Sequence, residues 1–109
     1  MNWTKKAPIA ITVTDKEGKI IEANSKAAEV FKRFGDFIGK NLKDCHNEKS
    51  KEKIKDMFEK KYINAYTIEK KGVKKLIYQF PWYDGKEFAG YVELSIELPP
   101  NMPHFVREQ

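Results

Sequence analysis

Several kinds of residue are scarce in this sequence of 109 residues, which contains one cysteine, two histidines and two arginines. A single cysteine excludes an internal disulfide and a metal site built from several cysteines. No apolar run approaches the roughly 20 residues of a membrane-spanning helix. The N-terminal segment also lacks the apolar stretch that is typical of a signal peptide. We therefore expect a cytoplasmic protein that does not bind membranes.

Enzyme motifs are missing as well. The sequence has no nucleophile elbow, no phosphate-binding glycine loop, no H-E-x-x-H and no pair of carboxylates typical of acid–base catalysis, so we predict that it is not an enzyme. The net charge is +5, but 19 of the 21 basic residues are lysines, interleaved with acidic residues. Arginine supplies most bidentate contacts to nucleic acid. This pattern indicates a solvated surface rather than a nucleic-acid partner.

The apolar content is sufficient for one folded domain. Apolar residues make up 40% of the chain and aromatic residues 13%, which is too much for a disordered protein. A chain of this length supports a single core. We predict one domain over residues 1–109, with its core over about 7–98 and an extended, proline-rich tail over 99–109.

Alternation of apolar and polar residues predicts strands, and three-to-four-residue spacing predicts helices. Asn24 or Ser25 is a good N-cap for a short helix, and Lys71-Gly72 and Asp84-Gly85 are typical hairpin turns. The predicted strands cover 8–14, 19–23, 62–70, 73–83 and 86–98, and the clearest helix covers 49–61. This order predicts an α+β domain, in which an antiparallel sheet carries the helices in one block.

Three segments in this order resemble the PAS domain family: ITVTDKEGKIIEAN, FIGKNLKD and PWYDGKEFAGYVELSIEL. The resemblance covers about residues 7–98. It implies a five-stranded antiparallel sheet with short helices and one longer helix on one face, and a sensory or ligand-binding role, often as a dimer. Glu97-Leu98-Pro99 replaces the family's D-I-T motif, and proline prevents helical continuation there. The chain therefore resembles a free-standing, bacterial-type PAS sensor, or a piece of a longer protein.

The resemblance also bears on cofactors, none of which we can identify. Leu42 stands where flavin-binding photoreceptors have their reactive cysteine, and the helix over 49–61 has no histidine where haem sensors place one. Both covalent flavin and haem held by a helix histidine are therefore disfavoured. Cys45-His46 is interpreted as a helix-entry loop, because two adjacent residues supply at most two metal ligands. Haem held by either residue in another geometry stays open.

Alternation divides the strands into two faces. The apolar face comprises Ile9, Ile11, Val13, Tyr66, Ile68, Leu76, Tyr78, Phe80, Trp82, Val92, Leu94 and Ile96, and the polar face comprises Ala10, Thr12, Thr14, Ala65, Thr67, Ile77, Gln79, Glu93 and Ser95. Burial alone favours the apolar face beneath the helices. The resemblance implies the opposite, because Thr14 and Ser95 match positions that face the pocket in ligand-binding PAS domains. We follow the resemblance.

The predicted site is a pocket with a polar floor and an apolar roof, which suits a small molecule. The floor comprises Thr12, Thr14, Thr67, Ile77, Gln79, Glu93 and Ser95, and the roof comprises Phe31, Phe34, Phe37, Leu42, Ile54 and Phe58. Glu93 needs a partner such as Gln79, because an unpaired buried carboxylate is costly.

Two functions follow from this reading. The first is a sensory module that acts in signal transduction through a small molecule, homodimerisation and a downstream signalling protein. The alternative is a ligand-free scaffold for protein–protein interaction. Because the apolar face exceeds the few hundred Å² that monomers usually expose, we predict a homodimer. Its predicted interface comprises Ile11, Tyr78, Phe80, Trp82, Leu94 and Ile96.

Overall fold

A five-stranded antiparallel sheet dominates the computed structural model, which describes residues 2–30, 38–41 and 48–108. The predicted α+β fold is confirmed. Strand and helix bounds agree with the predicted ones to within about two residues. The elements are β1 (Ala10–Thr14), β2 (Ile20–Ala23), α1 (Ser25–Val30), α2 (Glu48–Lys60), β3 (Asn64–Lys70), β4 (Val73–Asp84) and β5 (Glu87–Leu98).

The strands lie in the order β2-β1-β5-β4-β3. The last strand, β5, occupies the centre and pairs with β1 on one side and β4 on the other. The connection between the two halves of the sheet carries α1 and α2. Neither described helix is long and apolar enough to span a membrane. Residues 99–108 follow the sheet as an exposed segment without helix or strand.

Two-residue turns set the register of both long hairpins. Lys71 and Gly72 have φ angles of 51° and 79°, as a type I′ turn requires, and they bring Lys70 opposite Val73. The β4–β5 turn consists of Gly85 and Lys86, one residue later than predicted, because Asp84 still pairs with Glu87. The β3–β4 register then extends without interruption toward the middle of the sheet, whereas the β4–β5 register shifts between Trp82 and Tyr83 and is regular from there on.

Gly90 allows β1 to pass unusually close to β5. A Cβ atom at this position would overlap the Thr14 carbonyl oxygen, and the φ angle of 147° also favours glycine. The surrounding hydrogen bonds use that proximity. The Tyr91 backbone N–H donates to Thr14 Oγ1 at 3.1 Å, and Trp82 Nε1 donates to the Thr14 carbonyl oxygen at 2.9 Å.

Asn24 joins β1, α1 and the N-terminal segment. Its side chain is buried and makes four hydrogen bonds: Oδ1 accepts from the backbone N–H groups of Ile11 and Ala27, at 2.9 and 3.0 Å, and Nδ2 donates to the carbonyl oxygens of Thr4 and Ile9, at 2.9 and 2.8 Å. The bond to Ala27 makes Asn24, rather than Ser25, the N-cap of α1.

The Asn24→Ala variant is expected to lose about 2–4 kcal/mol of unfolding free energy, because capping is lost and buried peptide groups lose their partners. Chemical denaturation followed by circular dichroism measures this loss. Asn24→Ser keeps an acceptor for the cap and should lose less, and Asn101→Ala in the exposed tail is the matched control. A loss for Asn24→Ala as small as that of the control would contradict the central role of Asn24.

Candidate functional site

Helix α2 presents one apolar stripe to the sheet. Ile54 and Met57 are buried, and Phe58 beside them lies 4.8 Å from the Tyr91 ring, centroid to centroid. The Tyr91 hydroxyl shares its single proton between the carbonyl oxygens of Met57 and Tyr62, at 2.7 and 2.8 Å. Tyr91 therefore fastens the C-terminal end of α2 and the start of β3 to the central strand.

A cavity of about 310 Å³ lies between α2 and the sheet, a size typical of small-molecule pockets. One wall is apolar and comes from the helix stripe, and the opposite wall comes from the sheet. The described lining residues are Thr12, Thr14, Ser50, Lys53, Ile54, Met57, Phe58, Asn64, Tyr66, Gln79, Tyr91, Val92 and Glu93.

Four polar residues form one row across four strands of the cavity floor, and we call them the polar row: Thr12, Glu93, Gln79 and Asn64. Each is the register partner of the next. Asn64 Nδ2 donates to Gln79 Oε1 at 2.8 Å, and Gln79 Nε2 donates to Glu93 Oε1 at 2.7 Å. Three of the four residues are thus joined by a chain of hydrogen bonds that ends on the Glu93 carboxylate.

Two tyrosines of the lining respond to this environment. Burial and the neighbouring charge of Glu93 raise the pKa of the Tyr66 phenol, and burial raises the pKa of Tyr91 to about 12. Both phenols are therefore neutral at physiological pH, and the Tyr91 hydroxyl is already bonded to the Met57 and Tyr62 carbonyl oxygens.

A polar cluster outside the cavity anchors the C-terminal end of α2. Tyr62 donates to Asp56 Oδ2 at 2.8 Å, and Lys60 Nζ lies 2.8 Å from Asp56 Oδ1. Hydrogen bonds from Lys60 and Tyr62 lower the pKa of the Asp56 carboxyl. In the described part of the chain, no three His, Cys, Asp or Glu side chains are grouped as a metal site would need.

Most of the predicted floor lies on the face that packs against α2. Thr12, Thr14, Gln79 and Glu93 line the cavity. Ile77 and Ser95 share this face by register with Ala10 but are not among the lining residues. Of the predicted roof, Ile54 and Phe58 line the cavity, whereas Phe31, Phe34, Phe37 and Leu42 fall outside the described residues, as does the Cys45-His46 pair.

The placement of Thr67 on this face is wrong. Thr67 pairs with Leu76 on the outer face, whereas Tyr66 pairs with Ile77 and Asn64 with Gln79. Tyr66 and Ile68 consequently do not belong to the apolar outer face. The error is a one-residue slip in β3, which moves every side chain to the opposite face. The two-residue turn at Lys71-Gly72 was the signal that gives the correct pairing.

Sequence reasoning also missed several lining residues, namely Ser50, Lys53, Met57, Asn64, Tyr66, Tyr91 and Val92. Met57 belongs to the same helical stripe as Ile54 and could have been added on spacing alone. Tyr91 lies two residues before Glu93 on the same face of β5 and could have been added on alternation alone. Val92 borders the cavity although its register partners Val13 and Phe80 lie on the outer face, which alternation does not predict.

The six residues of the predicted dimer interface lie on the outer face. Ile11 pairs with Leu94, which pairs with Tyr78; Ile96 pairs with Leu76, and Phe80 with Val92. Each of the six side chains is half-buried by its neighbours within the sheet. Helix α2 packs on the opposite face, as the cavity lining shows.

The family model for PAS domains matches residues 8–94. The chain belongs to the PAS domain family. PAS domains are sensor modules in signalling proteins and are generally non-enzymatic.

Several solved structures share the fold at low sequence identity. The C-terminal domain of a Streptococcus mutans protein is 23% identical, with a TM-score of 0.74 over 89% of this chain and 81% of that one. The PAS domain of BvgS from Bordetella pertussis is 18% identical, with a TM-score of 0.64 over 88% and 81%. The Aer2 receptor from Vibrio cholerae, described as a dual PAS-heme oxygen sensor, is 15% identical, with a TM-score of 0.60 over 84% and 95%. No curated protein sequence matches this PAS domain.

Because of the Tyr91 phenol, we expect the free energy of unfolding to fall at alkaline pH. Its pKa in the folded state, about 12, lies above the usual value of about 10. Above about pH 10 the unfolded chain loses this proton while the folded chain retains it. The stabilisation is therefore complete below about pH 10 and is lost by about pH 12.

Tyr91→Phe should cost about 1–2 kcal/mol at neutral pH, and its unfolding free energy should fall less steeply between pH 10 and 12. Urea unfolding across this interval measures both effects. Tyr83→Phe, at a more exposed ring, is the matched control. Identical alkaline slopes for the native chain and Tyr91→Phe would contradict the assignment.

Proposed function

We propose that this PAS domain is a non-enzymatic cytoplasmic sensor that binds a small molecule between α2 and the sheet. The observation that carries the proposal is the polar row beneath an apolar helix stripe. Apolar walls with a few convergent polar groups are typical of ligand sites. A sheet face that served packing alone would be better filled by apolar residues at these positions.

The polar row also suggests how ligand binding in the cavity would affect the outer face of the sheet. Successive residues of a strand point to opposite faces, so Glu93 contacts the cavity and Leu94 the outer face of the same strand. A ligand that binds better to one position of the β5 backbone increases the population of that position. Side chains on both faces of the strand move with it. We infer that the outer face reports ligand occupancy to a second copy and, through it, to a signalling partner.

Haem and covalent flavin are not the proposed ligands. The Vibrio cholerae relative is described as a haem sensor, but α2 of this chain contains no histidine, and the described lining contains neither histidine nor cysteine. Leu42 replaces the cysteine to which photoreceptor flavins attach. These residues support a ligand held by hydrogen bonds and apolar contact.

The alternative function is a ligand-free interaction scaffold. The half-buried apolar outer face favours it, since that face supports association whether or not the cavity is filled. The two functions differ in one measurable respect. A sensor carries or captures a molecule in the cavity, whereas a scaffold does not.

Native mass spectrometry of the purified protein is expected to show each chain with an additional small molecule that is lost on denaturation. Ile54→Trp places a larger side chain in the cavity and should abolish this extra mass. Ile68→Trp is the matched control, because Ile68 is exposed and lies outside the lining. A native mass equal to that of the bare chains would favour the scaffold.

Leu94→Glu is expected to convert a homodimer into monomers, because it places a charge among the apolar residues of the outer face. Sedimentation velocity over a range of concentrations measures the change. Lys55→Gln alters the net charge by the same amount on the exposed side of α2 and should leave the dimer intact. If the native chain sediments as a monomer at every concentration, this interface is wrong.

A further inference from the structure

If the cavity binds a small molecule, as proposed above, the second oxygen of the Glu93 carboxylate indicates the chemical class of that molecule. Glu93 Oε1 accepts a hydrogen bond from Gln79 Nε2, and Gln79 Oε1 accepts one from Asn64 Nδ2. Among the described residues, no second donor to the carboxylate is found. Glu93 is half-buried and lines the cavity, so its other oxygen is available to whatever occupies that space.

No protein cation compensates this carboxylate within the described residues. Their ion pairs join Lys26 to Glu29, Lys51 to Glu48 and Lys60 to Asp56, all within helices. Lys53 also lines the cavity, but its ammonium lies 5.0 Å from the centre of the Tyr62 ring and forms no ion pair with Glu93. In the described part of a chain whose net charge is +5, the negative charge of Glu93 therefore has no ion-pair partner.

The remaining walls include apolar and aromatic side chains. Phe58 and Tyr91 lie with ring centres 4.8 Å apart, and Ile54 and Met57 complete the apolar lining. Aromatic rings attract cations as well as apolar groups. A carboxylate away from bulk water binds a charge-assisted N–H donor more strongly than a neutral one.

We propose that the cavity binds a small organic cation, with an apolar or aromatic body and an N–H-bearing cationic group that donates to Glu93. Gln79 and Asn64 act as positioning residues, because they hold the carboxylate toward the cavity. Uncharged molecules of the same shape bind more weakly, and anions more weakly still, because the carboxylate repels them.

The test compares three planar probes of nearly equal shape: benzamidinium, benzamide and benzoate. Titration calorimetry and protein NMR on the full chain measure their dissociation constants. Benzamidinium is expected to bind at least about tenfold more tightly than benzamide, the effect of one charge-assisted contact. Equal affinity of benzamidinium and benzamide, or a preference for benzoate, would overturn the ligand class.

Glu93→Gln keeps the shape of the side chain and removes its charge, so it should remove the preference for benzamidinium over benzamide. Glu97→Gln, the same change on the exposed end of β5, should retain it. The comparison of probes on the native chain stands even if Glu93→Gln fails to fold. Failure of all three probes overturns this inference. If the native mass shows a bound molecule nonetheless, the sensor function survives without the cationic ligand; if it shows none, both fail.

Discussion

The hydrogen bond from Gln79 to Glu93 is the interaction around which the site is arranged. A carboxylate on the inward face of a sheet is costly unless it is hydrogen-bonded, and this donor lies on the neighbouring strand at the matching register position. Asn64 in turn holds the Gln79 amide in place. The hydrogen-bonded part of the polar row therefore requires the register of three strands, and the row as a whole places polar groups where α2 would otherwise meet an apolar sheet face.

The cavity persists because contacts around it hold α2 at the sheet without filling the space. Tyr91 ties the C-terminal end of the helix to β5 through two carbonyl groups. In the half of the sheet that contains β1, Gly90 and Thr14 bring β1 close to β5. Asn24 joins β1 to α1 by hydrogen bonds. These contacts are local and directional. The polar row lines the sheet wall of the cavity between them. Rigid support around an unfilled polar centre is what a preorganised ligand site needs.

Much of this architecture could be predicted from the sequence, and the exceptions have physical causes. Alternation and turn residues predicted the strands, because the hairpins are local. Alternation separates the two faces but does not say which one points inward. The burial of apolar residues favoured the apolar face, and the choice of the polar face came from family resemblance. The slip in β3 arose because Ala65, Tyr66 and Thr67 suit either face, so only the turn length fixes their pairing. The role of Tyr91 depends on where α2 ends in space, which local patterns do not contain.

The central claim is that the polar face of the sheet lies inward and leaves a ligand cavity beneath α2. A high-resolution crystal structure of the protein as purified tests it most directly. The account predicts the Gln79 amide between Asn64 and Glu93, and density for a molecule or ordered water at the free oxygen of Glu93. A structure with Glu93 and Gln79 on the solvent-exposed face, or with the cavity filled by the chain's own side chains, would contradict it.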